Sequence, residues 1–79
     1  MEIQAGSLVY SKAGHDRGIL FLVLRIEGEY AYLADGKTRK LEKPKKKKQK
    51  HLQKTNWYIA PDETVSNDAE IRKALAQFR

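Results

Sequence analysis

The side chains best placed to do chemistry in this chain are cations, and they are crowded. Residues 37–54 hold ten of the sixteen basic side chains, Lys37, Arg39, Lys40, Lys43, Lys45, Lys46, Lys47, Lys48, Lys50 and Lys54, against one acid, Glu42. That segment nets +9; the rest, with six basic and nine acidic side chains, nets −3, which gives the formal +6 of the whole. A mildly acidic body with one basic limb points to a polyanionic partner. Lysine is a hydrated point charge on a flexible stem, suited to phosphate without selectivity for bases. Four consecutive lysines, Lys45 to Lys48, with Lys50 two residues on, exceed what solubility needs. Pro44 to Lys50 also fits the pattern of a nuclear localisation signal.

A second set lies in Lys12-Ala13-Gly14-His15-Asp16-Arg17-Gly18. There Lys12, His15 and Arg17 are candidates to meet phosphate while the glycines let backbone N–H groups approach. His51, beside Lys50, extends the basic set. Tyr30 and Tyr32 share a strand face near the basic segment and are candidate stacking residues, a contact worth about 1–3 kcal/mol per base. Trp57 is expected in the core.

Other chemistries find no support. The chain has no cysteine, which removes disulfides and thiolate metal sites. His15 and His51 have no third ligand at a useful spacing, so no metal and no cofactor is expected. Asp16 and Asp35 fall in turns, where Asp serves the backbone. No nucleophile with a partnered base and no phosphate-cradling Gly-Lys-Ser/Thr loop occurs, so no catalytic residues and no small-molecule substrate are expected. The longest apolar run, Ile19 to Leu24, is too short to cross a membrane as a helix. Met1-Glu2-Ile3-Gln4 lacks the basic-then-apolar pattern of a secretory signal. The expectation is a cytoplasmic protein with no membrane partner.

The elements that must position these residues are mainly β. Leu8 to Ser11 reads as a first strand. Ile19 to Ile26 is the strongest, with Leu20, Leu22, Leu24 and Ile26 on one face and Ile19, Phe21 and Val23 on the other. Glu27-Gly28-Glu29 is a hairpin turn and Tyr30 to Ala34 the returning strand. Asp35-Gly36 signals a type I′ turn, with a further strand over Thr38 to Leu41. The lysines from 45 to 48 repel one another and are expected to stay loose. His51 to Lys54 is a closing strand, Trp57-Tyr58-Ile59 a last apolar patch and Pro61 to Thr64 a turn or linker. Asn67 and Glu70 form a capping pair for a helix that sets Ile71, Leu75 and Phe78 on one face. Because the Ile19 strand is apolar on both sides, this helix is the candidate cover for its second face. The fold class is a small β-barrel of about five strands over residues 1–60, then a linker and a short C-terminal helix packing on it over residues 61–79.

Gly6-Ser7-Leu8-Val9, then Gly14 and Gly18 flanking a charged loop, then the aliphatic strand resemble the KOW motif of ribosomal proteins and transcription elongation factors. Ala34-Asp35-Gly36-Lys37-Thr38-Arg39, followed by Lys43-Pro44-Lys45-Lys46-Lys47-Lys48 and Lys50-His51-Leu52, resembles small bacterial KOW-domain RNA-binding proteins similar to the ribosomal protein fourteen-e family. The match covers roughly residues 6 to 54. Ile19-Leu20-Phe21 stand where many KOW motifs carry a further glycine. The resemblance implies an SH3-like barrel and RNA contact through the first loop. The implied partners are the ribosome and large-subunit rRNA. The rival expectation is an SH3-like module of the transcription or translation machinery that docks on a protein through Trp57-Tyr58-Ile59 or the Tyr30/Tyr32 face. A DNA-binding accessory factor is a third.

Overall fold

The computed structural model describes residues 2–60 and 67–78. They form one five-stranded antiparallel sheet and one C-terminal helix. Strands β1 (Ser7–Ser11), β2 (Leu20–Glu27), β3 (Tyr30–Ala34), β4 (Lys45–Lys48) and β5 (Leu52–Tyr58) lie in the order β4-β3-β2-β1-β5, and helix α1 spans Asp68–Ala76. The turn expected at Pro61 to Thr64 lies outside the described residues.

β2 organises the sheet because both of its faces are apolar. Leu20 and Leu22 join Leu8, Ala34, Ile71 and Leu75 in one cluster; Phe21 and Val23 join Val9, Ala31, Leu33 and Leu52 in another. Each leucine, isoleucine, valine or phenylalanine among them, taken fully out of water, contributes about 1.5–3 kcal/mol. The two clusters explain the two-sided pattern: α1 covers one face, and the sheet curls over the other. The alternation breaks at Leu24, where the β2–β3 register shifts between Val23 and Arg25. The bulge turns Arg25 outward and moves Ile26 onto the Phe21 side, opposite the face that strict alternation assigns it.

β4 and β5 are opposite edges of the sheet, yet a single 3-10 turn, Gln49–His51, joins them. In a flat sheet those edges would lie about 19 Å apart, at about 4.8 Å per strand spacing. Three residues of 3-10 helix advance only about 6 Å. The sheet must therefore be strongly curled. It remains open: β4 pairs with β3 and β5 with β1, and no ladder links the two edges among the described residues. The Lys47 ammonium spans part of the gap, donating to Ser11 Oγ at 2.8 Å and the Ala13 carbonyl at 2.7 Å.

Three expectations fail in the basic segment. Asp35-Gly36 is no type I′ turn, and no strand covers Thr38 to Leu41. A type I′ turn needs positive φ at both central residues, and no residue other than glycine has positive φ among those described. Instead the Asp35 carboxylate accepts from the backbone N–H of Lys37 at 3.0 Å and of Arg39 at 2.7 Å. This side-chain turn competes with the hairpin and wins. The lysines expected to be loose then form β4, with Lys45 to Lys48 opposite Leu33 to Tyr30. Alternation puts neighbouring ammonium groups on opposite faces, which relieves the repulsion.

β5 takes in both the expected closing strand and Trp57-Tyr58. Its register on β1 shifts between Ser7 and Val9, and Thr55 patches the gap, its hydroxyl donating to the Leu8 carbonyl at 2.6 Å and accepting from Trp57 N–H at 3.1 Å. The irregularity sends Trp57 to the helix side, where its ring lies 5.4 Å from Phe78 and 6.4 Å from Tyr10. The cap of α1 forms as the sequence indicates: Asn67 Oδ1 accepts from Glu70 N–H at 2.9 Å. Ile71 and Leu75 are fully buried.

Candidate nucleic-acid interface

The loop between β1 and β2 is built from the backbone outward. Gly18 N–H donates to the Ser11 carbonyl at 2.9 Å and Ser11 N–H to the Ile19 carbonyl at 3.2 Å, which pinches its base. A 3-10 turn, Gly14–Asp16, fills the interior. Lys12, His15 and Arg17 are exposed, whereas Asp16 between them is only 3% exposed. Its buried carboxylate is held by Arg39, whose Nη2 lies 3.0 Å from Asp16 Oδ2. A buried carboxylate needs such a partner to offset its lost hydration.

That ion pair brings in the second segment, the loop of residues 35–44. Lys37, Lys40 and Lys43 are exposed along it. Its far side rests on α1: Leu41 N–H donates to Asp68 Oδ1 at 2.8 Å, and Arg72 donates to the Gly36 carbonyl. Gly36 has φ of 77°, and a Cβ there would collide with the Asp68 carbonyl oxygen. Glycine is thus required twice, for conformation and for space. Between this loop and β4 lies an open depression lined by Thr38, Lys40, Glu42, Lys43, Lys45 and Lys46.

The third segment is β4 with its following turn. Lys46 and Lys48 share the outer face with Tyr30 and Tyr32. The Lys46 ammonium lies 4.5 Å from the Tyr30 ring centroid, and that of Lys48 lies 6.0 Å from it and 3.4 Å from Glu29 Oε1. The Arg25 guanidinium sits 3.9 Å above Tyr32 and bonds Glu27 at 3.0 Å, and the Tyr32 hydroxyl donates to Glu27 at 3.2 Å. The Arg25 hydrogen bond holds the Glu27 carboxyl below its ordinary range, outweighing the opposing effect of burial, and the same bond raises Arg25. Both tyrosines therefore carry a cation over one ring face. Lys50 and His51 are exposed on the turn, where the His51 carbonyl accepts from Lys12 N–H at 2.9 Å.

The sequence-predicted residues therefore sort into three groups. Lys12, His15, Arg17, Lys37, Lys40, Lys43, Lys50 and His51 are exposed on segments tied together at the 12–18 loop by Arg39–Asp16, Lys47–Ala13 and Lys12–His51. Arg39 and Lys47 are those ties, committed to internal partners. Lys45, Lys46 and Lys48 line the depression or the tyrosine face. Arg25 belongs to that face and was missed, because its place opposite Tyr32 depends on the β-bulge. Arg72 was missed because its partner lies across the fold. Among the described residues no group of three His, Asp or Glu side chains is placed to hold a metal ion, and no helix is long and apolar enough to cross a membrane. No protein-family model and no curated protein matches the chain.

Proposed function

We propose that the protein is a non-catalytic, cytoplasmic RNA-binding module that works on the ribosome and grips the phosphate backbone of large-subunit rRNA. One observation carries this reading: the adjoining stretches 35–44 and 45–51 are both tied to the 12–18 loop, distant from them in sequence, and the three together expose Lys12, His15, Arg17, Lys37, Lys40, Lys43, Lys50 and His51. Two of the three carboxylates on these segments are occupied internally, and the third, Glu42, is exposed among the lysines. Asp16 is paired with Arg39, and Asp35 holds backbone N–H groups. The curled sheet and its strand order favour an SH3-like barrel, as the KOW-like residues imply. With point charges and no groove-reading helix at the site, recognition runs through phosphate spacing and shape, since A-form RNA hides its major-groove edges.

Binding to rRNA fragments, measured by filter retention across a salt series, is expected to weaken with a log–log slope of about −3 to −6, for roughly four to eight phosphate contacts. A slope near zero rejects the mechanism. A protein-docking reading has one observation in its favour: Tyr58 is 47% exposed beside an open cavity of about 250 Å³ also lined by Trp57 and Thr55. Sucrose-gradient fractionation separates the two. Cosedimentation with ribosomal particles that is lost at high salt supports RNA contact, and one protein partner retained through high salt and nuclease supports docking.

A further inference from the structure

Helix α1 does more than cover the sheet. Its first turn and its exposed flank both touch the loop of residues 35–44, which carries Lys37, Lys40 and Lys43. The Asp68 carboxylate accepts the Leu41 N–H at 2.8 Å, Arg72 donates to the Gly36 carbonyl, and Gly36 lies flat against the Asp68 backbone. These contacts come from Asp68 and Arg72, whereas the buried side chains of the helix are Ile71 and Leu75. The loop has no strand pairing of its own. It is held by its Asp35 turn, the Arg39–Asp16 pair at one side and α1 at the other.

We infer that Asp68 and Arg72 are positioning residues for RNA binding: through them α1 fixes the 35–44 loop in the one geometry that presents its lysines together with Lys12 and Arg17. This rests on the RNA-binding reading above. Apparent affinity falls in proportion to the fraction of molecules in the competent geometry. An undocked loop keeps its charges and loses their spacing.

The charge of Asp68 makes the idea testable by sign. Asp68→Ala removes an acid next to a cationic surface, so a purely Coulombic role predicts tighter RNA binding. The positioning role predicts weaker binding, about tenfold, equivalent to about 1.4 kcal/mol. Asp68→Asn removes the same charge and keeps the oxygen that accepts from Leu41, so it restores affinity to the wild-type level or above. Filter binding of all three proteins to one rRNA fragment at fixed salt is the assay. Amide hydrogen exchange is read in parallel at Leu41, and at Phe21 and Val23 in β2. The expected result is faster exchange at Leu41 in Asp68→Ala alone, with β2 protection unchanged. Equal or tighter binding by Asp68→Ala, or weakening in Asp68→Asn to the same degree, overturns the proposal, as does Leu41 exchange that does not change. Should the wild type bind no RNA, the functional reading falls and this inference falls with it. The Leu41 exchange still reports whether the helix holds the loop.

Discussion

Strand β4 and the loop before it both carry lysines, and the fold treats them differently. In β4, Lys47 is committed to Ser11 and Ala13, and Lys46 and Lys48 lean over Tyr30. In the loop, Lys37, Lys40 and Lys43 are exposed, while the work of fixing the loop falls to Asp35, Arg39 and Gly36. The densest run of charge is thus partly structural, and the sparser run presents the more accessible cations. Four lysines on an edge strand also have a protective use, because a lysine-lined edge discourages pairing with another chain. Charge density in a sequence measures potential for phosphate contact; the partners each ammonium has already taken decide how much of it remains.

The helix covers one face of the sheet and holds the loop, so removing it should have the largest effect. Truncation after Thr64 deletes Ile71 and Leu75, both fully buried. Loss of each is worth about 2–5 kcal/mol, a large share of the 5–15 kcal/mol typical of a whole domain. Thermal unfolding followed by circular dichroism should show Tm lowered by more than about 10 °C, at roughly 4–8 °C per kcal/mol for a chain of this size. An unchanged Tm would mean that the sheet does not need its cover.

Neighbouring residues of β4 sharpen the comparison at smaller scale. Lys47→Ala removes two hydrogen bonds from an ammonium group that bridges the curl of the sheet, and should cost about 1–2 kcal/mol of stability. Lys46→Ala removes an exposed cation over a ring and should stay within about 0.5 kcal/mol of wild type. On RNA the order reverses: Lys46→Ala weakens binding more than Lys47→Ala once both are measured on folded protein. Equal stability of the two variants in urea titrations would show that the Lys47 bridge is of no consequence. Replacing all of Lys45 to Lys48 together would blur the two effects.

What could be read in the residues was whatever has a local cause. Strands β1 to β3 follow from runs of apolar side chains, and the helix start follows from Asn67 and Glu70 three residues apart. The 35–44 loop was misread because two local signals competed, the Asp-Gly turn and the Asp35 side-chain turn, and their relative strength is not written in the dipeptide. β4 was invisible because four identical lysines carry no alternation; it becomes a strand only through pairing with β3. The same limit applies to the site. The exposed cations could be named from their type, but Arg39 and Lys47 are withdrawn from it by partners 23 to 36 residues away in the chain.

The smallest expected effect separates the outer tyrosine face from the buried Asp16–Arg39 tie. Glu27 and Arg25 are both more than half exposed, so solvent screens their pairing and its contribution is slight. Its pH dependence still has a definite sign. The Glu27 carboxyl is held below its ordinary value of 4.5, chiefly by the Arg25 hydrogen bond. Ionised Glu27 is thus favoured in the folded state, and its contribution is complete above pH 4.5 and disappears as pH falls below that value. Arg25 stays charged throughout. Glu27→Gln should therefore trail the wild type in Tm at neutral pH and converge on it as the solution is acidified from pH 5 to about pH 3. Added salt should narrow the gap at neutral pH. A gap that is constant across this range would mean that Glu27 acts through shape and not through its charge.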